Sequence, residues 1–267
     1  MINNIINIEN PDYPIYKVIK KEYLYEALTS QSFKLFRPGD WEDPFEDVFY
    51  NSTSINNHGE RINHLYERDR LYGSCWSHLK ESDAMWRIYS PEKNGIKIKT
   101  TVKKLISALF HSIDTQREKK AFIGKVEYLT TEQIINKLQD EKWVQNIMYD
   151  PTNKSKAETL LFKRTEFEHE NEIRLIYYEA QRHEVGQYPE FFSLNFQPND
   201  LIEEIELDPR LTEIEYLTIE KKLLTSGYSN RVSKSKLYEL PVIYSRINTG
   251  EMSLAEAKRM AQKHNKR

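Results

Sequence analysis

The sequence is poor in the residues that build several common kinds of site. It has a single cysteine in 267 residues, which excludes an internal disulfide and a thiolate-rich metal centre. Only 8 glycines are present, and neither GxGxxG nor GxxxxGK[ST] occurs, so a glycine-rich phosphate loop is not expected. The 7 histidines are scattered, without a pair at metal-ligand spacing. We therefore expect no metal site.

Long apolar runs and a one-sided charge are also missing. No apolar stretch approaches the roughly 20 residues that span a bilayer, and polar residues interrupt the first 20 positions, which argues against a signal peptide. The formal net charge of −2 gives no global argument for binding nucleic acid or a membrane surface. We expect a cytoplasmic protein without membrane association.

What the sequence does contain is sufficient for a packed core. Hydrophobic residues make up 39% of the chain, including 17 Tyr, 11 Phe and 4 Trp. Alternating and helical apolar patterns follow one another along the chain, with a last strand expected at 237–243. They predict one α+β domain over residues 1–245, with a mixed, mainly antiparallel sheet, either single or split into two, and packed helices. Residues 246–267 are expected to form a linker and a basic C-terminal helix.

One stretch, 163–179, combines a strand pattern with several charges. Apolar residues alternate along its second half, which predicts a strand. Side chains two apart share a face of a strand, so Glu170, Glu172 and Arg174 are expected to point the same way. Because an unpaired buried charge is costly, the three should form a paired network. The pattern fits two interpretations, a structural ion network and a ligand or catalytic site.

Four pieces of the chain together resemble a bacterial family known only as a domain of unknown function. They are Ile15-Tyr16-Lys17; Glu42-Asp43-Pro44-Phe45-Glu46; Cys75-Trp76-Ser77 with Met85-Trp86-Arg87-Ile88-Tyr89 and Gly95; and Lys163 with Phe167, Glu170, Glu172 and Arg174. The resemblance covers residues 15–210, and this sequence departs from the family pattern at Glu42, Trp76 and Phe167. It implies no particular activity.

A second resemblance, at the level of pattern, is to ADP-ribosyltransferases. These enzymes also have a strand with a hydroxyl side chain, a following helix with a stacking aromatic residue, and a glutamate late in the chain. The resemblance implies that Glu172 or Glu170 stabilises the transition state, that Ser77 contacts the ribose, and that Tyr89 or Trp86 stacks on the ligand. Cleavage of the nicotinamide–ribose bond develops positive charge on the sugar, which a carboxylate stabilises.

These arguments predict an NAD-consuming or ADP-ribosyl-transferring enzyme, of the kind found among toxin- or defence-like effectors. NAD is expected as a substrate, a small nucleotide ligand rather than a tightly bound cofactor, and the protein or nucleic-acid target is left open. The predicted catalytic residues are Glu170, Glu172, Arg174 and Ser77, and the predicted binding residues are Trp86, Tyr89, Arg37, Asp43, Phe45 and Lys163.

Two other functions stay open at this point. A metal-dependent nuclease could gather carboxylates around Mg²⁺ with Lys163 nearby. A non-catalytic binding or sensor module would use the glutamates and Arg174 only as a structural network. Either a ligand site or an active site requires that the separate motifs meet, so we expect Trp41 or Phe45, Trp86 and the Glu170/Glu172/Arg174 face to converge.

Overall fold

The computed structural model describes residues 2–41, 43–181, 183–184, 187–245 and 253–264. The strands are β1 Ile5–Ile6, β2 Pro14–Lys20, β3 Ser32–Phe36, β4 Thr53–Ile55, β5 Arg61–Asn63, β6 Leu71–Ser77, β7 Gly95–Thr101, β8 Ala121–Lys125, β9 Glu127–Leu129, β10 Phe162–Arg164, β11 Glu172–Tyr178, β12 Phe191–Asn195, β13 Glu204–Leu207 and β14 Arg231–Lys234. The helices are α1 Lys21–Ser30, α2 Val48–Asn51, α3 Leu65–Arg68, α4 Asp83–Tyr89, α5 Val102–His111, α6 Thr131–Gln139, α7 Glu141–Tyr149, α8 Lys154–Glu158, α9 Pro198–Leu201, α10 Glu213–Thr225 and α11 Leu254–His264. Short 3₁₀ helices lie at Ile2–Asn4, Pro38–Asp40, Arg117–Lys119 and Thr165–Glu170.

The centre of the fold is a 10-stranded sheet. Its main path runs β1-β8-β11-β6-β2-β7-β13-β14, with β3 and β12 branching from β6. The pairs β1/β8 and β13/β14 are parallel and the other pairs of this sheet are antiparallel. Two small sheets, β9/β10 and β4/β5, lie outside it. The predicted α+β class, with a mixed and mainly antiparallel sheet, is confirmed.

Strand β11 lies between β6 and β8 and is buried along its whole length. Ile173, Leu175 and Tyr177 face one hydrophobic core, and Ile176 and Tyr178 face a second core on the opposite side of the sheet. A strand covered on both faces needs apolar residues at nearly every position, which explains the apolar run predicted here. The exceptions, Glu172 and Arg174, fall at its beginning.

The sheet forks at the free edge of β6. Strand β3 pairs with the first half of β6 through Phe36 and Gly73, whereas β2 pairs with its end through Tyr16 and Ser77. Between these two contacts the edge of β6 at 74–76 has no paired strand within the described part of the chain. One hydrogen-bonded sheet therefore spreads into two arms, which reconciles the two arrangements expected from the sequence.

The last part of the chain differs from the prediction. The chain divides into two units, Met1–Leu237 and Tyr238–Arg267. Residues 237–243 form no strand, because Pro241 cannot donate a ladder hydrogen bond, and β14 lies earlier in the chain. The second unit contains α11; the predicted linker 246–250 and the final basic residues 266–267 lie outside the described residues. Among the helices the structure describes, none is long and apolar enough to cross a membrane.

Candidate functional site

A cavity of ≈ 820 Å³ lies where β2, β6 and the start of β11 meet α4 and the loop after β3. This volume is within the range typical of small-molecule sites. Its lining residues are Tyr16, Lys17, Val18, Asp40, Trp41, Asp43, Pro44, Glu46, Cys75, Trp76, Ser77, Met85, Ile88, Tyr89, Lys163, Arg164, Phe167, His169, Glu170 and Glu172. Five of these are acidic, so the cavity brings together carboxylates and aromatic walls.

Arg174 lies beneath the cavity and is fully buried. Its Nε and Nη2 donate to the two carboxylate oxygens of Glu172 at 2.9 and 3.0 Å. Nη2 also donates to Glu46 Oε2 at 2.8 Å, and Nη1 donates to the Leu160 carbonyl at 2.7 Å. The fork of the guanidinium suits this bidentate pairing. The prediction that Glu172 and Arg174 share a face is therefore confirmed, and the pair forms a rigid base for the site.

Lys163 joins the three central carboxylates from the other side. It comes from β10, outside the main sheet, and its Nζ lies 2.6 Å from Glu170 Oε2, 3.0 Å from Glu46 Oε1 and 3.5 Å from Glu172 Oε2. Burial alone would lower the pKa of Lys163, but the surrounding carboxylates outweigh it and raise that pKa. Lys163 is therefore a permanent cation at the centre of the cluster.

The same cations determine the charge of the glutamates. Burial alone would raise the pKa of Glu172, but Arg174 and then Lys163 outweigh it and lower the pKa to about 2. Burial dominates at Glu46, whose pKa is raised although the same two cations oppose the shift. Glu172 is consequently ionised at any physiological pH, whereas Glu46 protonates more readily than Glu172.

Glu170 reaches the site by a different route from the one predicted. It is not on the strand: it ends the 3₁₀ helix Thr165–Glu170, and Asn171, in the left-handed region at φ 43°, separates it from β11. The strand spacing argument was wrong for this residue, because the backbone turns at Asn171. Its side chain nevertheless enters the cluster, where Oε1 accepts a hydrogen bond of 3.2 Å from the Tyr89 hydroxyl.

Aromatic side chains form the walls above the charged cluster. The Trp41 ring lies 4.6 Å from the Arg174 guanidinium and packs against Gly73, where an added Cβ would come within 2.7 Å of the indole. The Phe167 ring lies 4.6 Å from Lys163 Nζ. The predicted convergence of Trp41 with the Glu172/Arg174 face is thus confirmed.

Helix α4 presents one face to the cavity, and Trp86 is not on it. Met85, Ile88 and Tyr89 line the cavity at helical spacing. Trp86 is 1% exposed, and its Nε1 donates to Glu81 at 2.7 Å. The structure contradicts the predicted stacking role and convergence of Trp86, because its ring is buried against Glu81 and Lys97 and does not line the cavity. Tyr89 is the aromatic residue of α4 that a ligand could contact.

Comparison with known proteins matches a segment of the chain that contains part of the site. The sequence family described as "Protein of unknown function (DUF2971)" matches residues 85–175. That segment contains Tyr89, Lys163, Glu170, Glu172 and Arg174. No curated protein matches the chain.

Solved structures of DarT from Thermus sp. 2.9 align with most of the chain. The complex with NAD+ is 13% identical, with 86% of this chain and 98% of that chain covered and a TM-score of 0.38. The complex with carba-NAD+ is 14% identical, covers 85% and 97%, and has a TM-score of 0.38. The complex with ADP-ribosylated ssDNA is 14% identical, covers 86% and 97%, and has a TM-score of 0.39.

The other predicted residues fall around the cavity rather than at its centre. Ser77 lines it, but its hydroxyl donates to the Glu170 carbonyl at 2.6 Å and accepts from the Leu79 N–H at 3.0 Å. These bonds attach the end of β6 to the turn before β11 and do not leave the Ser77 hydroxyl pointing freely at a ligand. The predicted ribose contact therefore stays a prediction, and the structure assigns Ser77 a positioning role.

Three predicted binding residues belong to the loop that follows β3. Asp43 lines the cavity and pairs with Arg164 at 3.1 Å. The Phe45 ring lies 4.6 Å from the Arg164 guanidinium but is not a lining residue. Arg37 likewise does not line the cavity; its Nε lies 3.8 Å from Asp40, which does. Asp43 is therefore the member of this set in direct reach of a ligand.

The predicted catalytic and binding residues did not include Glu46 or Lys17, which the structure places in the site. Glu46 contacts both Lys163 and Arg174, and its signal was its place in the acidic loop beside Asp43. Lys17 lines the cavity from β2. Its signals in the sequence were a charged side chain in a mainly apolar strand and its place in the Ile15-Tyr16-Lys17 piece of the family resemblance.

Proposed function

We propose that this chain is an NAD-consuming enzyme that transfers ADP-ribose to water or to an acceptor. The observation that carries the proposal is the pair of glutamates, Glu170 and Glu172, held in place at the base of a cavity with aromatic walls. Carboxylates fixed in advance stabilise a developing cationic sugar without reorganising during the reaction.

The chemistry requires few groups. When the bond between ribose C1′ and the nicotinamide nitrogen breaks, its electron pair leaves with nicotinamide and the ribose becomes an oxocarbenium-like cation. A nearby carboxylate lowers the free energy of that cation, and the walls around Trp41, Phe167 and Tyr89 provide apolar surface for a ring. Water or an acceptor nucleophile then bonds to C1′ and loses its proton to solvent or a carboxylate.

We assign the contact with the ribose to Glu170 rather than Glu172. Both oxygens of Glu172 are held by Arg174, and the residue is 3% exposed. Glu170 is 8% exposed, and among the described residues its Oε1 accepts a hydrogen bond only from the hydroxyl of Tyr89, which itself lines the cavity. A substrate can therefore approach Glu170, whereas Glu172 acts through the ion pairs that position Lys163.

The test is nicotinamide release from NAD by purified protein, alone and with cell lysate as a source of acceptor. Glu170→Gln should keep the fold and lower turnover by about 10²–10³, the effect of losing one preorganised electrostatic partner. Glu168→Gln is the matched control, because Glu168 is an exposed glutamate of the same 3₁₀ helix. Equal turnover in Glu170→Gln and wild type would refute the assignment to Glu170.

A non-catalytic binding module is the second candidate, and one observation favours it: Glu46, Glu172, Lys163 and Arg174 satisfy each other's charges. This module would show no nicotinamide release under either condition and no thermal shift with NAD. A metal-dependent nuclease is not favoured, because the two cations occupy the carboxylates that a metal ion would require. The described residues contain no group of three or more His, Cys, Asp or Glu arranged to hold a metal ion.

A further inference from the structure

Lys17 differs from the other cations that line the cavity. Lys163 contacts three carboxylates and Arg164 contacts Asp43. Lys17, in contrast, forms no salt bridge with any described residue. Its Nζ donates to the Cys75 carbonyl at 2.8 Å and lies 3.4 Å from the Ser74 hydroxyl. The Trp76 ring centroid lies 5.9 Å from the same Nζ. Among the described residues, the ammonium group therefore has neutral partners and no paired anion.

The position of Lys17 explains how this arrangement arises. Strand β2 separates from the edge of β6 beyond the pair Tyr16–Ser77. The Cys75 carbonyl at the fork therefore accepts its hydrogen bond from the Lys17 side chain instead of from the backbone of a neighbouring strand. Burial lowers the pKa of Lys17, and the neighbouring Cys75 and Glu172 side chains offset only part of this shift. A half-buried ammonium group without a paired anion is incompletely compensated, and an anion beside it would complete the compensation.

We propose that Lys17 binds the diphosphate group of the nucleotide ligand at the fork between β2 and β6. The inference rests on the proposed function and extends it to the anionic part of the substrate. An acidic cluster around Glu170 and a lysine without a counter-charge line the same cavity. A ligand that carries a cationic ring at one end and a diphosphate next to it matches both features.

The direct test is calorimetric titration with ADP-ribose, inorganic diphosphate and adenosine. Lys17→Met should weaken binding of ADP-ribose and diphosphate about 10- to 100-fold, the scale of one charge-assisted hydrogen bond, and should leave adenosine binding unchanged. Lys17→Arg should recover part of the loss, since it keeps the charge. Lys20→Met is the matched control, because Lys20 is an exposed lysine of the same strand. Unchanged affinity in Lys17→Met, or no binding of either anion to wild type, would overturn the proposal.

A second experiment uses wild-type protein, so it tests the site even if the Lys17 variants do not fold. Acylation of lysines by an amine-reactive reagent, followed by mass spectrometry, should show that saturating ADP-ribose slows labelling of Lys17 at least several-fold. Adenosine should not slow it, and Lys20 should react equally throughout. Equal labelling of Lys17 with and without ADP-ribose would refute the site.

The experiments distinguish failure of the proposed anion site from failure of the proposed catalytic function. Protection of Lys17 by ADP-ribose without nicotinamide release would leave a diphosphate-binding module. Nicotinamide release that is insensitive to Lys17→Met would leave the enzyme without this anchor.

Discussion

At the scale of single residues, the central fact is a guanidinium with no solvent exposure. Arg174 is tolerated because Glu172, Glu46 and the Leu160 carbonyl accept from its nitrogens. A buried ion pair adds little net stability when it is complete, but it becomes very costly when one member is removed. The cluster is therefore better understood as a device that fixes geometry than as a source of stability.

Replacing Arg174 by Ala should lower the free energy of unfolding by about 3–5 kcal/mol, because Glu172 and Glu46 would be left buried without their partner. Denaturant unfolding followed by circular dichroism measures this. Lys34→Ala is the control, since the Lys34–Glu26 pair is exposed and should change stability by less than about 1 kcal/mol. A loss of similar size in both variants would contradict a buried network.

Glu172 should also make stability depend on acid. Its pKa is about 2 in the folded protein and near its ordinary value of 4.5 in the unfolded chain, so between these values the unfolded chain binds more protons. The stabilisation, about 3 kcal/mol, is fully present above about pH 5 and is lost as the pH falls toward 2. Between pH 6 and pH 3, the free energy of unfolding should fall less steeply with pH in Glu172→Gln than in wild type. The exposed variant Glu168→Gln should follow wild type, and an identical slope in Glu172→Gln would contradict the shift.

At the scale of elements, the sequence predicted strand β11 correctly but not the conformation of residues 170–171, which precede it. Apolar residues at 173 and 175–178 identified the strand, and they occupy both faces because both faces are buried. The alternation argument was extended two residues too far, to Glu170, since a left-handed Asn171 cannot be read from a polarity pattern. The side chain still arrived at the site, because Lys163 and Tyr89 attract it from other elements.

Helix α4 shows a second limit of reasoning from sequence. Its aromatic residues Trp86 and Tyr89 looked equivalent, because residues at i and i+3 lie on the same side of a helix, yet only Tyr89 lines the cavity. Which one does so depends on Lys97 and Glu81, partners of Trp86 that lie on other segments. Contacts across elements, such as those that bring Glu46 to Arg174, leave no local pattern in the chain.

The contact between the loop after β3 and strand β6 should be sensitive to one methyl group. Gly73→Ala would place a Cβ 2.7 Å from the Trp41 indole and displace it from Arg174, costing about 1–3 kcal/mol through overpacking. Denaturant unfolding and the tryptophan emission maximum measure the effect. Gly39→Ala is the control, because its nearest neighbour is the end of the flexible Arg68 side chain. Equal stability and emission in both variants would contradict the packing described.

At the scale of the whole molecule, the fork in the sheet determines where a ligand can enter. Strand β6 is fully paired with β11 on one edge and only through single residue pairs with β2 and β3 on the other. The interruption of the ladder makes space for side chains from both arms, so the cavity follows from the topology. Sequence patterns predicted the strands but not this branching, which depends on long-range pairing.

The first unit should fold without the second. Leu240, Val242 and Tyr244 are 91%, 80% and 90% exposed, so they add little to a core. A protein ending at Leu237 should therefore unfold within a few degrees of the full chain, measured by calorimetry. Aggregation or a fall of the unfolding temperature by more than about 5 °C would show that residues 238–267 are required for stability.

The chain has a single thiol, Cys75, and the rate of its chemical modification can be used to follow the cavity. Cys75 is partly exposed where it lines the cavity, and burial raises its pKa well above the usual value, so it should react slowly, through a small fraction of thiolate. The rate at which a thiol reagent modifies the protein therefore reports access to the cavity, because the chain has no second cysteine. Any compound that fills the cavity should slow the modification of Cys75, whether or not the protein then reacts with that compound. Ligands can therefore be found before their chemistry is known.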